Sequence, residues 1–268
     1  MANHPDTYEV LAKYYDQAYA VKKDLVDLPF YLELAQSCGG PVLEIACGTG
    51  RVLLPIARAR IPIDGVDNSP AMLAILKEHI KNELPEVRER IQLHPGDMRE
   101  FRLGSKYPLV IIPFRPMQHM RTVEDQVNAL KTAAFHLETD GILAFDVFYP
   151  KFSIMESGIG EEVMEMEWPD PTNAKRTVRR YFRKDAVDKV QQIFFFTFFL
   201  RTYEGDSVVH EDATPMTLSY FTYPHLRALF LLAGLEIVEG YGTFDKTPLD
   251  NSATQMIFLL RRGKGSHS

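Results

Sequence analysis

Apolar and polar positions along this chain change period several times, and each change marks an element. Val42, Leu43 and Ile45 form a short apolar run behind Gly40-Pro41, as a strand buried on both faces does. The run breaks into Ala46-Cys47-Gly48-Thr49-Gly50. Val52, Leu53, Ile56 and Ala57 then fall at helical spacing, predicting a helix to about Arg60. Ile63, Gly65 and Val66 read as a second strand. A helix from Pro70 to about residue 83 follows, with Ser69 placed to cap it and Pro70 at its first position. Ile91–His94, Leu109–Ile112 and Ile142–Phe148 read as three more strands, with a helix over Thr122–Leu137 before the last. Residues 1–37 read as helix. Leu11, Tyr14, Tyr15, Ala18 and Tyr19 share helical spacing, as do Phe30, Tyr31, Leu34 and Ala35 after Pro29.

From about residue 150 the pattern changes. Pro150–Asn173 is irregular and acidic around Glu161-Glu162. Residues 178–183, 191–203 and 208–219 read as β-strands, with turns at Asp188-Lys189 and Gly205-Asp206. The aromatic run Ile193–Leu200 suits a strand buried on both faces, a dimer interface or one wall of an apolar acceptor pocket. The earlier rhythm then resumes: a helix over Pro224–Ala233, a strand over Leu235–Tyr241 and a terminal strand over Ala253–Arg262. This order predicts an α/β fold, a doubly wound, mostly parallel seven-stranded Rossmann-like sheet with an antiparallel β insertion after the fifth strand. The expected domains are 1–149 with 220–262 as the ligand-binding sheet domain, and 150–219 as the insertion. Residues 263–268 are expected to be a disordered tail.

Composition narrows the function classes. A hydrophobic fraction of 46% with 25% charged residues fits an ordinary globular chain able to bury a large core. A net charge of -6 argues against a broad nucleic-acid footprint, which needs a basic face. Cys38 and Cys47 supply neither a disulfide framework nor a metal quartet, so no metal is expected. With no long apolar run and no signal-peptide pattern, the expectation is a cytoplasmic protein with no membrane partner.

The chemistry centres on the turn after the first strand. In an open α/β sheet such a turn lies where ligands bind. Gly48 and Gly50 let a ligand approach the backbone closely. A phosphate loop would continue Gly-Lys-Ser/Thr, and a dinucleotide loop would carry a third glycine where Leu53 stands. Glu44 would repel a pyrophosphate but suits an ammonium or a sulfonium. The stretch resembles motif I of the class I S-adenosylmethionine-dependent methyltransferases, with Ala46 where many members carry glycine. Asp67, at the end of the second strand, can accept both hydroxyls of a ribose, as the acidic residue of dinucleotide folds does. Asn68 and Met72 would border the adenine. Gly96-Asp97-Met98 resembles the family motif whose Asp meets the adenine amino group and whose next N–H, here that of Met98, meets a ring nitrogen.

After Ile112, Pro113-Phe114-Arg115-Pro116-Met117-Gln118-His119 resembles members that act on small molecules. The Asn/Asp-Pro-Pro-Tyr motif of adenine methyltransferases is missing. The resemblance implies S-adenosylmethionine as cofactor, S-adenosylhomocysteine as its product, and a small-molecule methyl acceptor. Its cofactor set is Tyr15, Tyr31, Glu44, Ala46, Gly48, Arg51, Asp67, Asn68, Met72, Asp97, Met98 and Phe114, the last through its carbonyl. His119, with an ordinary pKa near 6.5, is the general-base candidate, set against a helix-start histidine that packs or caps. Arg115 suits an acidic acceptor or a solvated face. Asp146 reads as a satisfied core group or as one facing the acceptor. The expected function is methyl transfer to nitrogen or oxygen of a small molecule, with a homodimer through the insertion as the expected assembly. The rivals are an NAD-dependent oxidoreductase, a non-catalytic cofactor-binding partner, and a nucleic-acid or protein methyltransferase.

Overall fold

The structure is a computed structural model that describes residues 7–22, 25–155 and 157–263. The predicted tail beyond residue 263 lies outside the described residues, as do residues 1–6. The helices are α1 (Thr7–Ala20), α2 (Leu28–Cys38), α3 (Leu53–Arg58), α4 (Pro70–Lys81), α5 (Pro85–Arg88), α6 (Val123–Phe135), α7 (Phe152–Met155) and α8 (Tyr223–Leu232). The strands are β1 (Val42–Ile45), β2 (Ile63–Asp67), β3 (Ile91–Pro95), β4 (Tyr107–Ile112), β5 (Leu137–Phe148), β6 (Glu162–Pro169), β7 (Arg176–Asp188), β8 (Ile193–Glu204), β9 (Ser207–Ser219), β10 (Leu235–Tyr241) and β11 (Gln255–Arg262).

These elements form two compact units, one of Val26–Pro150 with Phe221–Ser268, the other of Met1–Leu25 with Lys151–Tyr220. In the larger unit seven strands run in the order β10-β11-β5-β4-β1-β2-β3. β1, β2, β3, β4 and β5 are parallel, while β11 pairs antiparallel with both β5 and β10. Successive strand side chains point to opposite faces, so each strand feeds two cores. Leu43, Val110, Ile112, Leu143 and Phe145 join Ala129, Leu130, Leu226 and Phe230 from α6 and α8. Val42, Ile63, Leu109, Ile111 and Ala144 join Phe30, Tyr31, Leu53, Ile56 and Leu76 from α2, α3 and α4. Burial on both faces is why these strands read as unbroken apolar runs.

The smaller unit is a four-stranded antiparallel sheet in the order β6-β7-β8-β9. α1 covers one of its faces: Leu11 and Ala18 pack with Trp168, Val178, Phe196, Leu200 and Met216. The sequence reading groups α1 with the large sheet, within 1–149, whereas α1 packs in the smaller unit. The apolar stripe of α1 finds its partners on β6 to β9 of its own unit. β6 is a second difference, because residues 162–169 were expected to be irregular. It is an exposed edge strand, and its charged positions hide the alternation that marks a strand. The aromatic run lies in β8, where Phe196, Phe199 and Leu200 are buried.

Candidate functional site

The turn between β1 and α3 is built for close approach. Ala46, Gly48 and Gly50 all take left-handed φ values, 59°, 54° and 89°. Only glycine adopts that region without strain, so Ala46 is held there against its own preference. A Cβ on Gly50 would lie 2.3 Å from Leu76 Cδ1, whereas one on Gly48 would meet nothing within 4 Å. Gly50 therefore serves packing, and Gly48 faces open space. Cys47 is buried beside Gly65, where a Cβ would stand 2.9 Å from its sulfur. Burial pushes its thiol well up, which makes it a small packing residue.

The carboxylate of Asp67 receives the Gly48 N–H at Oδ2 (2.7 Å) and the Ser69 N–H at Oδ1 (2.8 Å). A carboxylate offers about four lone-pair sites, so these two donors alone do not exhaust it. Ser69 also accepts the Met72 N–H at 3.3 Å, with Pro70 at the first turn of α4, as the sequence predicts. Asn68, just past the end of β2, is exposed, and Met72, in the first turn of α4, is buried.

Glu44 is 3% exposed, and its Oε2 has no partner among the described residues. Burial pushes its carboxyl well above the usual range, against the pull of the Arg51 guanidinium. Arg51 forms a two-pronged pair with Asp27, at 2.8 and 2.5 Å, and lies 4.8 Å from the ring of Phe114. Asp27 starts α2 but makes no side-chain cap, because Arg51 takes both of its oxygens. Sequence reading passed over Asp27. A helix-start aspartate signals a cap, and its true partner is 24 residues away.

At the end of β4, Phe114 and Arg115 are both left-handed (φ 67° and 71°). The Phe114 N–H donates to Asp146 Oδ1 at 2.8 Å, and the Tyr31 hydroxyl donates to the same atom at 2.7 Å. Tyr31 is fully buried on this contact, one turn along α2 from Asp27. Asp97, after the close-packed Gly96, accepts from the Arg99 backbone N–H at 2.9 Å and from its guanidinium. The Arg99 charge holds its carboxyl below the usual range. Met98 beside it is buried. His119 ends a short 3₁₀ turn, and desolvation lowers its imidazole from the ordinary 6.5 to about 4. Tyr15 belongs to α1 in the smaller unit, where its ring packs 4.4 Å from that of Tyr19. The structure thus gathers Glu44, Ala46, Gly48, Arg51, Asp67, Asn68, Met72, Asp97, Met98, Phe114 and His119 at the carboxyl ends of β1 to β4. Tyr31 lies among them but behind Asp146.

This donor set fits S-adenosylmethionine. The unpartnered Glu44 Oε2 offers an acceptor to a cationic ligand, and Gly48 opens onto free space. Asp67 is fixed by two backbone N–H groups at the end of β2, where a carboxylate can meet a diol.

Comparison with known proteins agrees. A methyltransferase domain family matches residues 42–141. The dTDP-3-amino-3,4,6-trideoxy-alpha-D-glucopyranose N,N-dimethyltransferase of Streptomyces venezuelae is 26% identical over 178 residues, 66% of this chain and 70% of that protein. The CcbJ methyltransferase of Streptomyces caelestis superposes with a TM-score of 0.77 at 22% identity, covering 95% of this chain and 96% of its own. CalS10 of Micromonospora echinaspora, an amino pentose methyltransferase solved with S-adenosylmethionine bound, gives a TM-score of 0.70 at 21% identity, covering 92% and 96%. The missing third glycine and these matches set the nicotinamide rival aside. With its glycine turn and its sheet order in agreement, residues 42–141 carry a methyltransferase domain, and the chain resembles the class I S-adenosylmethionine-dependent methyltransferases.

Proposed function

We propose that this enzyme methylates the nitrogen of a small-molecule amine, with amino sugars as the first class to test. The carrying observation is His119. It stands beside the Phe114 loop, and its imidazole is neutral but too weakly basic to take a proton from a hydroxyl with any driving force. A neutral amine needs no such base, because it loses its proton after the methyl arrives. The sugar N,N-dimethyltransferases among the relatives support the same choice.

When bound, the cofactor supplies a methyl group already activated by its positive sulfur. The chain's own work is alignment. Asp67 takes the ribose hydroxyls, and Asp97 with the Met98 N–H takes the adenine edge. Glu44 and the Phe114 carbonyl take the ammonium, and Arg51, fixed by Asp27, takes the carboxylate. Alignment of this kind contributes up to about 7–11 kcal/mol of barrier reduction. In this scheme His119 accepts a hydrogen bond from the acceptor amine and orients its lone pair.

For the smaller unit we propose a homodimer role. On β7 and β8, Arg179 stacks on Tyr203, and Arg201 stacks on Tyr181 and Phe199, with ring distances of 4.5, 4.7 and 5.2 Å. Arginine and aromatic side chains of this kind are enriched in interface cores. Two free cysteines suit a reducing compartment, so the proposed site of action is the cytoplasm.

The test is methyl transfer from labelled S-adenosylmethionine across matched amine and hydroxyl acceptors, including amino sugars, with transfer RNA as a macromolecular control. Label on amines supports the reading. Label confined to hydroxyls or to RNA overturns it. Sedimentation with and without Arg201→Glu tests the dimer: wild-type protein that sediments as a monomer removes it.

A further inference from the structure

Asp146 is 2% exposed within β5, yet three groups converge on it. The Tyr31 hydroxyl and the Phe114 N–H donate to Oδ1, and Arg115 Nε stands 3.9 Å from Oδ2. Phe114 and Arg115 are consecutive non-glycine residues in left-handed backbone. Such a pair persists only where the surroundings hold it. The Phe114 N–H is the fixed point of that turn, and Asp146 is its acceptor.

We propose that Asp146 is a positioning residue for the cofactor: it locks the Phe114–Arg115 turn so that the Phe114 carbonyl faces the methionine end, and Tyr31 ties it to α2. The inference rests on the placement of that methionine end at this loop. α2 then becomes a common strut. Its first turn holds Arg51 through Asp27, and four residues later it holds Asp146 through Tyr31. The turn after β1 and the loop after β4 are thereby registered to each other before any ligand arrives.

The groups facing Asp146 are Tyr31 and Asp27 from α2, and Arg115 from the loop. Arg115 is steadied in turn by Gln255 of β11 at 3.2 Å. Burial raises the Asp146 carboxyl to about 6, while the Tyr31, Arg115 and Phe114 contacts pull it down. Its charge therefore changes between about pH 5 and 7. Protonation turns two charge-assisted hydrogen bonds at Oδ1 into weaker neutral ones.

The experiment is calorimetric binding of S-adenosylhomocysteine to the full chain from pH 5 to 8, for wild type, Asp146→Asn and Tyr31→Phe, with melting curves for each. The expected wild-type affinity falls roughly tenfold from pH 7 to pH 5. Asp146→Asn is expected to bind about tenfold more weakly at pH 7.5 and to lose the break near pH 6, and the difference curve separates Asp146 from Glu44. Tyr31→Phe removes a contact that lowers the Asp146 pKa, so its break moves to higher pH. A folded Asp146→Asn with wild-type affinity and an unchanged break overturns the proposal. If Asp146→Asn does not fold, Tyr31→Phe decides: an unmoved break overturns it as well. Wild-type protein that takes up no S-adenosylhomocysteine at any pH overturns the site reading itself and this proposal with it, a result distinct from a binding protein that ignores Asp146.

Discussion

The backbone N–H of Gly48 donates to Asp67 Oδ2 at 2.7 Å, so the turn after β1 and the acid ending β2 form one unit. Asp67 both shapes the turn and is assigned the ribose. Asp67→Ala removes the acceptor from two backbone donors, those of Gly48 and Ser69. Hydrogen bonds to a charged group are worth roughly 1.5–3 kcal/mol. S-adenosylhomocysteine affinity should fall by about 10- to 100-fold in calorimetry. Asp67→Asn should fare little better, because its amide places a donor against one of those N–H groups. Undiminished binding in either variant removes the ribose assignment.

The two glycines of the turn should separate by readout. Gly50→Ala meets Leu76 and a φ of 89°, so its cost is structural. Left-handed backbone alone costs a non-glycine residue roughly 1–2 kcal/mol, which corresponds to a melting temperature several degrees lower in a chain of this size. Gly48→Ala pays only the backbone penalty, because its methyl enters open space. Its melting curve should shift less, while its cofactor affinity should drop more than that of Gly50→Ala.

Glu44 gives a pH prediction with a definite sign. Burial raises its folded pKa above the ordinary 4.5, so the folded state binds more protons than the unfolded state as pH climbs from that value. Stability of the free protein therefore falls with rising pH through this window and levels off above the folded pKa. Glu44→Gln removes the buried charge. Urea titration at pH 8 should find it at least as stable as wild type, and calorimetry should find weaker S-adenosylmethionine binding. A variant that is less stable yet binds normally contradicts the ammonium role.

For His119 the expectation is a modest loss. An imidazole lowered to about 4 stays neutral from pH 6 to 8, so it contributes no inflection there. With an amine acceptor, His119→Ala should lower kcat/KM by about tenfold or less, the loss of one orienting hydrogen bond. A loss above about a thousandfold, with cofactor affinity intact, would reinstate general-base catalysis.

The strand ends were legible because burial on both faces leaves unbroken apolar runs, as at Leu109–Ile112. Glu44 and Asp67 stand out in the sequence because an acid within or at the end of an apolar run has few structural reasons to be there. β6 was not legible, since an exposed edge strand carries charges at positions a buried strand would fill with apolar residues. The grouping of α1 was not legible either. An amphipathic helix announces an apolar face but not which sheet receives it.

The sequence by itself determined the doubly wound sheet, the glycine turn and the acids that flank it, because each is written in local period, local conformation or a short motif. Tertiary structure alone decided that Asp27 holds Arg51, that Tyr31 serves Asp146 and that His119 is desolvated. Those facts depend on partners 24 and 115 residues away and on how much water the fold excludes, and no local pattern encodes either.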